Sequence, residues 1–413
     1  MSKSETEVAI IGGGAAGIAA GRRLRQAKID CLVIEARARL GGRAWSVHDA
    51  SGFALDLGCG WLHSADRNPW VAIAQAQGRT IDRTPPPWGR PALQKGFSLE
   101  EQRDFSAAME KFHDDVDAVA AHAPDVAAAK ALDPHGRWNN MINAIGTYIS
   151  GADLDRVSAL DFANYRDTKV NWRVVEGLGT TIAAAGDDLD VTLECPALRI
   201  DHSGKRLKIE TTKGAIAADQ AIVTLPSTVL AENEDLFAPV LLEKTQAARG
   251  LPLGLADKLF LSLSNAEEFE PGSRLFGAKD RTATATYHIR PFGQPVIEAY
   301  FGGSNAAALE AKGTHAFFDF AVSELTALLG NDFAQRVKPV AQHSWGIDPF
   351  ARGSYSYALP GKVDCRAKLA APVDGRMFFA GEACSTFDFS TAHGGYFTGT
   401  AAADQVIVAR ARK

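Results

Sequence analysis

The chain has 413 residues, 46% hydrophobic and 23% charged, with a formal net charge of −5. That length exceeds what a single hydrophobic core fills and predicts two lobes; the apolar content excludes a disordered chain, and no apolar run is long enough to span a bilayer. The mildly acidic balance, with no cluster of lysine and arginine, excludes nucleic acid as the main partner and tolerates cationic small molecules. The five cysteines, Cys31, Cys59, Cys195, Cys365 and Cys384, have no metal-ligand spacing, so reduced thiols are expected and no metal is. The first strand starts so near Met1 that no secretory leader is expected ahead of it, and a cytoplasmic location is the expectation.

Glu7 to Ile11 reads as a buried strand, followed at once by Gly12-Gly13-Gly14-Ala15-Ala16-Gly17 and a helix through Ala19, Ala20 and Leu24. This is the G-x-G-x-x-G pattern. Its glycines serve a tight turn, backbone approach to a pyrophosphate and helix–strand packing, and the helix N-terminus holds the phosphates. Gly12, Gly14, Ala15, Ala16 and Gly17 are therefore candidate cofactor-binding residues. Ile29 to Ile34 forms a second strand that ends at Glu35, about 20 residues on, where a ribose hydroxyl is bound. Strand, turn, helix, strand and acid in that order predict an adenine dinucleotide site; the bland alternative is a glycine-rich turn beside a surface glutamate. Ala36 and Arg37 follow Glu35, and then come Arg39-Leu40-Gly41-Gly42-Arg43. A glycine pair flanked by arginines suits a second backbone pass along the cofactor, which an NAD domain does not need, so Gly41, Gly42 and Arg43 point to FAD.

Gly52 to His63 alternates like a strand and runs into a glycine-rich turn, where Gly58, Cys59, Gly60 and Trp61 can lie against a flat ring. Pro85-Pro86-Pro87 breaks the chain, and Leu99 to Ala131 has the 3.6-residue spacing of long helices, with an alanine-rich stretch over 118–131. Strand character returns at 191–193, 198–200, 207–209 and 221–225, bringing the chain back to the cofactor lobe, with Ala197 a further candidate contact. Leu259 to Leu263 and the stretch from Thr282 to Phe301 predict a sheet of the second lobe, ahead of a helix over 316–329. Met377 to Glu382 is a buried strand ending in Gly381 and Glu382, and Thr391 and Ala392 open the last helix toward the flavin. Glu382 is read as a cofactor contact; its alternative is a strand-end carboxylate that caps the helix. The fold class is α/β, a Rossmann-type FAD-binding domain (1–80, 186–264 and 340–413) interleaved with an α+β substrate-binding domain (81–185 and 265–339).

The segment from Glu35 to Arg43 resembles the extended FAD signature of flavin amine oxidases, carotenoid desaturases and protoporphyrinogen oxidases. Trp345-Gly-Ile-Asp348-Pro349-Phe350 through Gly353-Ser354-Tyr355-Ser356-Tyr357, with Phe379-Ala-Gly-Glu382 and Thr391-Ala-His-Gly394, resembles the C-terminal half of the flavin amine oxidase family. Within it, polyamine oxidases and lysine-specific histone demethylases are the nearest match. Asp56-Leu-Gly-Cys-Gly-Trp61-Leu-His63 is similar to that group's loop beside the flavin, and Asp257-Lys258-Leu-Phe-Leu261 to its lysine-bearing strand. Residues 85–180 carry no recognisable motif.

The resemblance implies the amine oxidase / p-hydroxybenzoate hydroxylase-like architecture. It also implies that Lys258 holds a water against flavin N5, that Trp345 packs against the flavin, that Tyr355 walls the amine channel and that His63 lines it. The second aromatic wall of monoamine oxidases falls here on Thr391, and the cysteine that anchors their flavin falls on Ser354, so the FAD is expected to be non-covalent. Read from residues alone, Lys258 is a snorkelling surface lysine, His63 a loop histidine satisfied by backbone, and His393 a helix-start residue. The implied reaction is oxidation of a primary or secondary amine, polyamine-like favoured, to an imine by transfer to FAD, with dioxygen reduced to hydrogen peroxide. Two other readings stay open: a FAD-dependent desaturase or porphyrinogen-type oxidase of an apolar substrate, and a FAD-binding protein without turnover. The expected partners are a small-molecule amine and dioxygen, with a homodimer left open.

Overall fold

The strand Glu5–Ile11 is buried along Val8 to Ile11, as an apolar run in a parallel sheet covered on both faces must be. A computed structural model describes residues 3–313 and 315–412. In it this strand lies between Gly214–Val223 and Cys31–Ile34, both parallel to it. The sheet continues outward to Val191–Thr192 on one side and through Leu207–Thr211 and Ala197–Asp201 to Phe237–Ala238 on the other. Met377–Phe379 pairs with the distal end of Gly214–Val223, so three separate stretches of chain build one sheet.

The first helix, Ala15–Gln26, packs against the last, Ala392–Ala411, at glycines. A Cβ on Gly399 would stand 2.1 Å from the Ala16 carbonyl oxygen, and one on Gly17 would stand 1.9 Å from that of Gly12. Both approaches need the missing side chain: the first lets the two helices cross closely, and the second seats the first helix on the end of its own strand.

The second sheet is antiparallel, in the order Ser273–Phe276, Thr286–Ile289, Val296–Gly302, Ala256–Leu263, Val337–His343. Residues directly opposite each other in such a sheet share a face, and alternate residues of a strand share it too. One face therefore carries Leu275, Tyr287, Ile297, Ala299, Leu259 and Leu261, which are buried with Phe317, Ala321 and Leu325 of the helix Ala316–Leu329. The opposite face carries two rows: Lys258, Tyr300, Thr286 and Phe276, and beside it Phe260, Glu298, His288 and Arg274. Strands this apolar on one side and this polar on the other form the floor of a site.

A helical layer, Leu99–Ala120, Asn139–Ser150 and Ala159–Asn164, closes around Phe97, Phe105 and Trp138 and packs on Phe276 of the second sheet. The helical pattern expected to run to Ala131 stops at Ala120. Pro124 cannot continue the backbone ladder, and Asp125 accepts hydrogen bonds from the Ser158 hydroxyl and the Leu160 N–H; only a 3₁₀ turn, Ala128–Ala131, remains of the alanine-rich stretch. Strand pairing also places 256–263, allotted to the FAD-binding part, in the second sheet. The helix Leu178–Ala184, allotted to the substrate part, packs instead with Ile18 and Trp70. Arg366, fully buried, forms a two-pronged ion pair with Asp161 at 2.7 and 2.8 Å and ties the helical layer to the cofactor lobe. Among the described residues no helix is long and apolar enough to cross a membrane.

The helix crossing is testable. Gly399→Ala is expected to cost about 1–3 kcal/mol, as overpacking does, seen as a lower urea midpoint at unchanged slope; an unchanged midpoint would show that the two helices part without penalty.

Candidate active site

A cavity of about 2470 Å³ runs from the glycine turns of the first sheet to the polar face of the second. Its cofactor half is shaped by backbone. Gly41 N–H donates to the Gly13 carbonyl at 2.8 Å, and a Cβ on Gly42 would stand 3.3 Å from Gly14 Cα, so the two glycine turns lie flat on each other. Gly14 caps the first helix with no side chain over its N–H groups, which leaves them directed at the cavity as a pyrophosphate requires. Glu35 is buried, and its carboxylate accepts from Gly13 N–H at 2.6 Å and Arg37 N–H at 2.8 Å, retaining lone pairs for a ribose hydroxyl. A third turn completes the cradle: a Cβ on Gly58 would stand 1.8 Å from the Arg43 carbonyl oxygen. These residues fit an extended dinucleotide, FAD, along one groove.

Gly12, Gly14, Ala15, Ala16, Glu35, Ala36, Arg37, Gly41, Gly42, Arg43, Gly58, Cys59, Gly60, Trp61, Ala197, Trp345, Gly381, Glu382, Thr391 and Ala392 all line this cavity. Gly17 does not, because it is the glycine that packs helix on strand. Arg37 faces the cavity with its guanidinium already held by Asp348 at 2.6 and 2.9 Å. Glu382 is buried against Arg43 at 2.9 Å and accepts from the Ser356 hydroxyl and Ser390 N–H. Burial acts to raise its carboxyl, but Arg43 and these donors outweigh it and hold it below the ordinary range. Of the five cysteines only Cys59 lines the cavity, and burial pushes its thiol up to about 12.

The substrate half is organised by Lys258, which is 4% exposed and so is no snorkelling surface residue. Its Nζ donates to the Asp56 carbonyl at 2.9 Å and pairs with Glu298 at 3.0 Å. Glu298 is held from the other side by Arg173, also at 3.0 Å. Asp56 is in turn fixed by Ser46 and by the first N–H groups of the helix Leu178–Ala184. Trp345 is locked by hydrogen bonds from Nε1 to the Leu57 carbonyl at 3.1 Å and from its N–H to Asp257 at 3.2 Å. Tyr355 stands with its hydroxyl 3.1 Å from that of Tyr300, which meets Tyr148 edge to face, so three tyrosines wall the channel. His63 lines it too, its Nδ1 2.7 Å from Asn171 Oδ1, and burial lowers its pKa despite that contact. Thr391 stands in the wall, but its hydroxyl is engaged as the cap of the last helix, accepting from Gly394 N–H at 3.0 Å and donating to the Asp388 carbonyl.

Sequence reading did not find Glu298, Arg173, Tyr300, Tyr148 or Arg274. Glu298 left a trace, a charge inside the otherwise apolar strand Val296–Gly302, and Tyr300 lies two residues on in the same strand, on the same face; Arg173, Tyr148 and Arg274 left none.

Burial acts to raise the Glu298 carboxyl, yet Arg173 and Lys258 overcome it and hold it well below the usual carboxylate range. A carboxylate depressed on folding contributes stability that is complete above its unfolded value, near 4.5, and is lost as pH falls through the folded one. Stability should therefore decline as pH drops below about 4.5. Glu298→Gln should shed part of that decline while costing about 3–5 kcal/mol at neutral pH, because it strands two buried cations. Urea titrations of both proteins across this range check it, and parallel pH profiles would refute the assignment.

The chain matches the family model for flavin containing amine oxidoreductase over residues 93–407 and that for an NAD(P)-binding Rossmann-like domain over residues 10–75. It is 29% identical to polyamine oxidase 3 of Oryza sativa subsp. japonica, over 98% of this chain and 90% of that protein. It is 27% identical to polyamine oxidase 2 of Arabidopsis thaliana, over 98% and 88%. Among solved structures, wild-type putrescine oxidase bound to putrescine superposes with a TM-score of 0.78 at 19% identity, covering 98% of this chain and 99% of that one; that likeness is one of fold. With more than half of its length matched by the family model, and with the cradle and the buried lysine described above, the chain belongs to the flavin containing amine oxidoreductase family and uses FAD.

Proposed function

We propose that the protein oxidises a primary or secondary aliphatic amine, of linear polyamine-like form, and holds its FAD without a covalent bond. The observation that carries this reading is Lys258, buried in the cavity wall beside Tyr300 and Tyr355 and opposite the glycine cradle. Bound FAD supplies a two-electron oxidant that takes a hydride equivalent from the carbon bearing nitrogen, giving an imine that water hydrolyses, and passes the electrons to dioxygen as hydrogen peroxide.

The residues do the remaining work. Lys258 Nζ has two acceptors, Asp56 O and Glu298, and a third donor free for a water. Tyr148, Tyr300 and Tyr355 give the amine a narrow, largely apolar approach that positions the reacting carbon. Burial lowers the pKa of His63 in the cavity wall, which disfavours a positive charge there that would repel the amine. Trp345 fixes the flavin side of the wall. Ser354 Oγ is clamped between Ala256 N–H at 2.8 Å and Ala256 O at 3.0 Å, and the protonated Cys59 offers no thiolate, so neither supplies an attachment point for the ring.

Anaerobic mixing of the yellow protein with a panel of amines tests the reading: loss of flavin absorbance, recovering with peroxide when air returns, is the expected result, and a flavin that stays oxidised with every amine would overturn it. Lys258→Met should retain FAD and lower kcat by roughly 10²-fold or more, measured by oxygen uptake. Glu35→Ala should weaken FAD retention roughly 10- to 100-fold, measured as flavin lost on dilution; undiminished retention would remove Glu35 from the site.

A further inference from the structure

One polar residue on the cavity face of the second sheet takes no part in the reaction above. Arg274 lines the cavity on the edge strand Ser273–Phe276, three strands from Lys258. Its guanidinium lies over the Phe276 ring at 3.9 Å, which places it at the far end of the row Lys258, Tyr300, Thr286, Phe276. Its Nε donates to Thr286 Oγ1 at 3.2 Å. Among the described residues, the other four of its five N–H donors meet no side-chain acceptor, and no carboxylate pairs with it. The neighbouring cations differ: Lys258 and Arg173 both rest on Glu298. In the sheet, Glu298 stands two strands from Arg274 with His288 between them, a backbone separation of roughly 10 Å.

Lys258 and Arg274 thus stand along this wall, with Glu298 the carboxylate that pairs with Lys258 and Arg173. The second ammonium of a diamine laid along the row would meet a guanidinium, and like charges in a partly desolvated site repel. A carboxylate there would be gripped by two parallel N–H donors, the geometry that arginine presents best. The row spans three strand spacings, roughly 14 Å between backbones. Lys258 and Arg274 stand at its two ends, a separation that a short methylene chain with a polar group at each end can span.

Resting on the amine-oxidase reading above, we propose that Arg274 anchors a carboxylate at the far end of the substrate. The amine oxidised at the Lys258 end is then the amino terminus of a linear ω-amino acid, which keeps the linear aliphatic amine of that reading and puts a carboxylate where a polyamine carries its second ammonium. The reaction is unchanged: the C–H bond next to nitrogen breaks, its two electrons pass to FAD, and the carboxylate takes no part beyond binding.

The test uses the wild-type holoenzyme under anaerobic conditions, comparing flavin reduction by 4-aminobutanoate, 5-aminopentanoate and 6-aminohexanoate with reduction by the diamines of equal chain length. At least one ω-amino acid should exceed its diamine by roughly 10-fold or more in the second-order rate. Arg274→Gln should lower that ratio roughly 10- to 100-fold, and Arg274→Glu should invert it. Because the readout is a ratio, a variant that merely folds poorly slows both substrates and leaves it unchanged, and an unchanged ratio overturns the proposal. Flavin bleaching with a preference for diamines in the wild type also overturns it, and leaves the amine-oxidase reading standing. If no amine bleaches the flavin, that reading fails instead. The Arg274 site is then decided by pentanoate, which must perturb the flavin spectrum of the wild type and not of Arg274→Gln.

Discussion

Glu298 is 5% exposed and stands between two buried cations, and the substrate side of the molecule is arranged around that fact. An ion removed from water carries a penalty of several kcal/mol, recovered only when partners surround it closely. Lys258 is held inside the wall by two acceptors, the Glu298 carboxylate that faces it and the Asp56 carbonyl. Arg173 comes from a segment of the middle region and stacks over Trp61 and Phe292. One carboxylate thus joins the antiparallel sheet to the loop beside the cofactor and to the chain that closes the channel. Displacing any one of the three residues would leave charge without compensation, so the position of the lysine is set by electrostatics as much as by the strand that bears it.

The cofactor side follows a different rule, steric rather than electrostatic. Three turns, Gly12 to Gly14, Gly41 to Gly42 and Gly58 to Gly60, lie close together: a methyl group on Gly42 would crowd Gly14, and one on Gly58 would strike the Arg43 carbonyl. Their exposed amides and the uncapped helix start present a surface of backbone, which a long flat ligand can approach without side chains in between. Two carboxylates, Glu35 and Glu382, stand in this surface, and each already accepts bonds from the protein that hold it in position.

This contrast explains what was legible in the chain. The cradle is local: strand, glycine turn, helix, strand and acid occur in order, and the physical demand on each glycine is met within a few residues, so every candidate except Gly17 stands in the cavity wall. Lys258 and Tyr355 were found through family resemblance, since alternation alone leaves a strand lysine as readily outside as inside. Arg173, Tyr148, Tyr300 and Arg274 could not be read, because what they do depends on strand register and on packing between segments more than 100 residues apart. Where local pattern misled, at Ala118 to Ala131, the alanines favoured a helix that Pro124 and the grip of Asp125 on Ser158 brought to an end.

The central strands of the first sheet come from residues 5–11 and 214–223, and the strand and helix that finish the cradle come from 377–403. A chain emerging from the ribosome therefore makes its phosphate turn long before the strand and helix that close the site. Stable capture of FAD becomes a check on completion: a chain truncated before its last strand presents an open groove and an unpaired sheet edge, the features that quality-control machinery recognises.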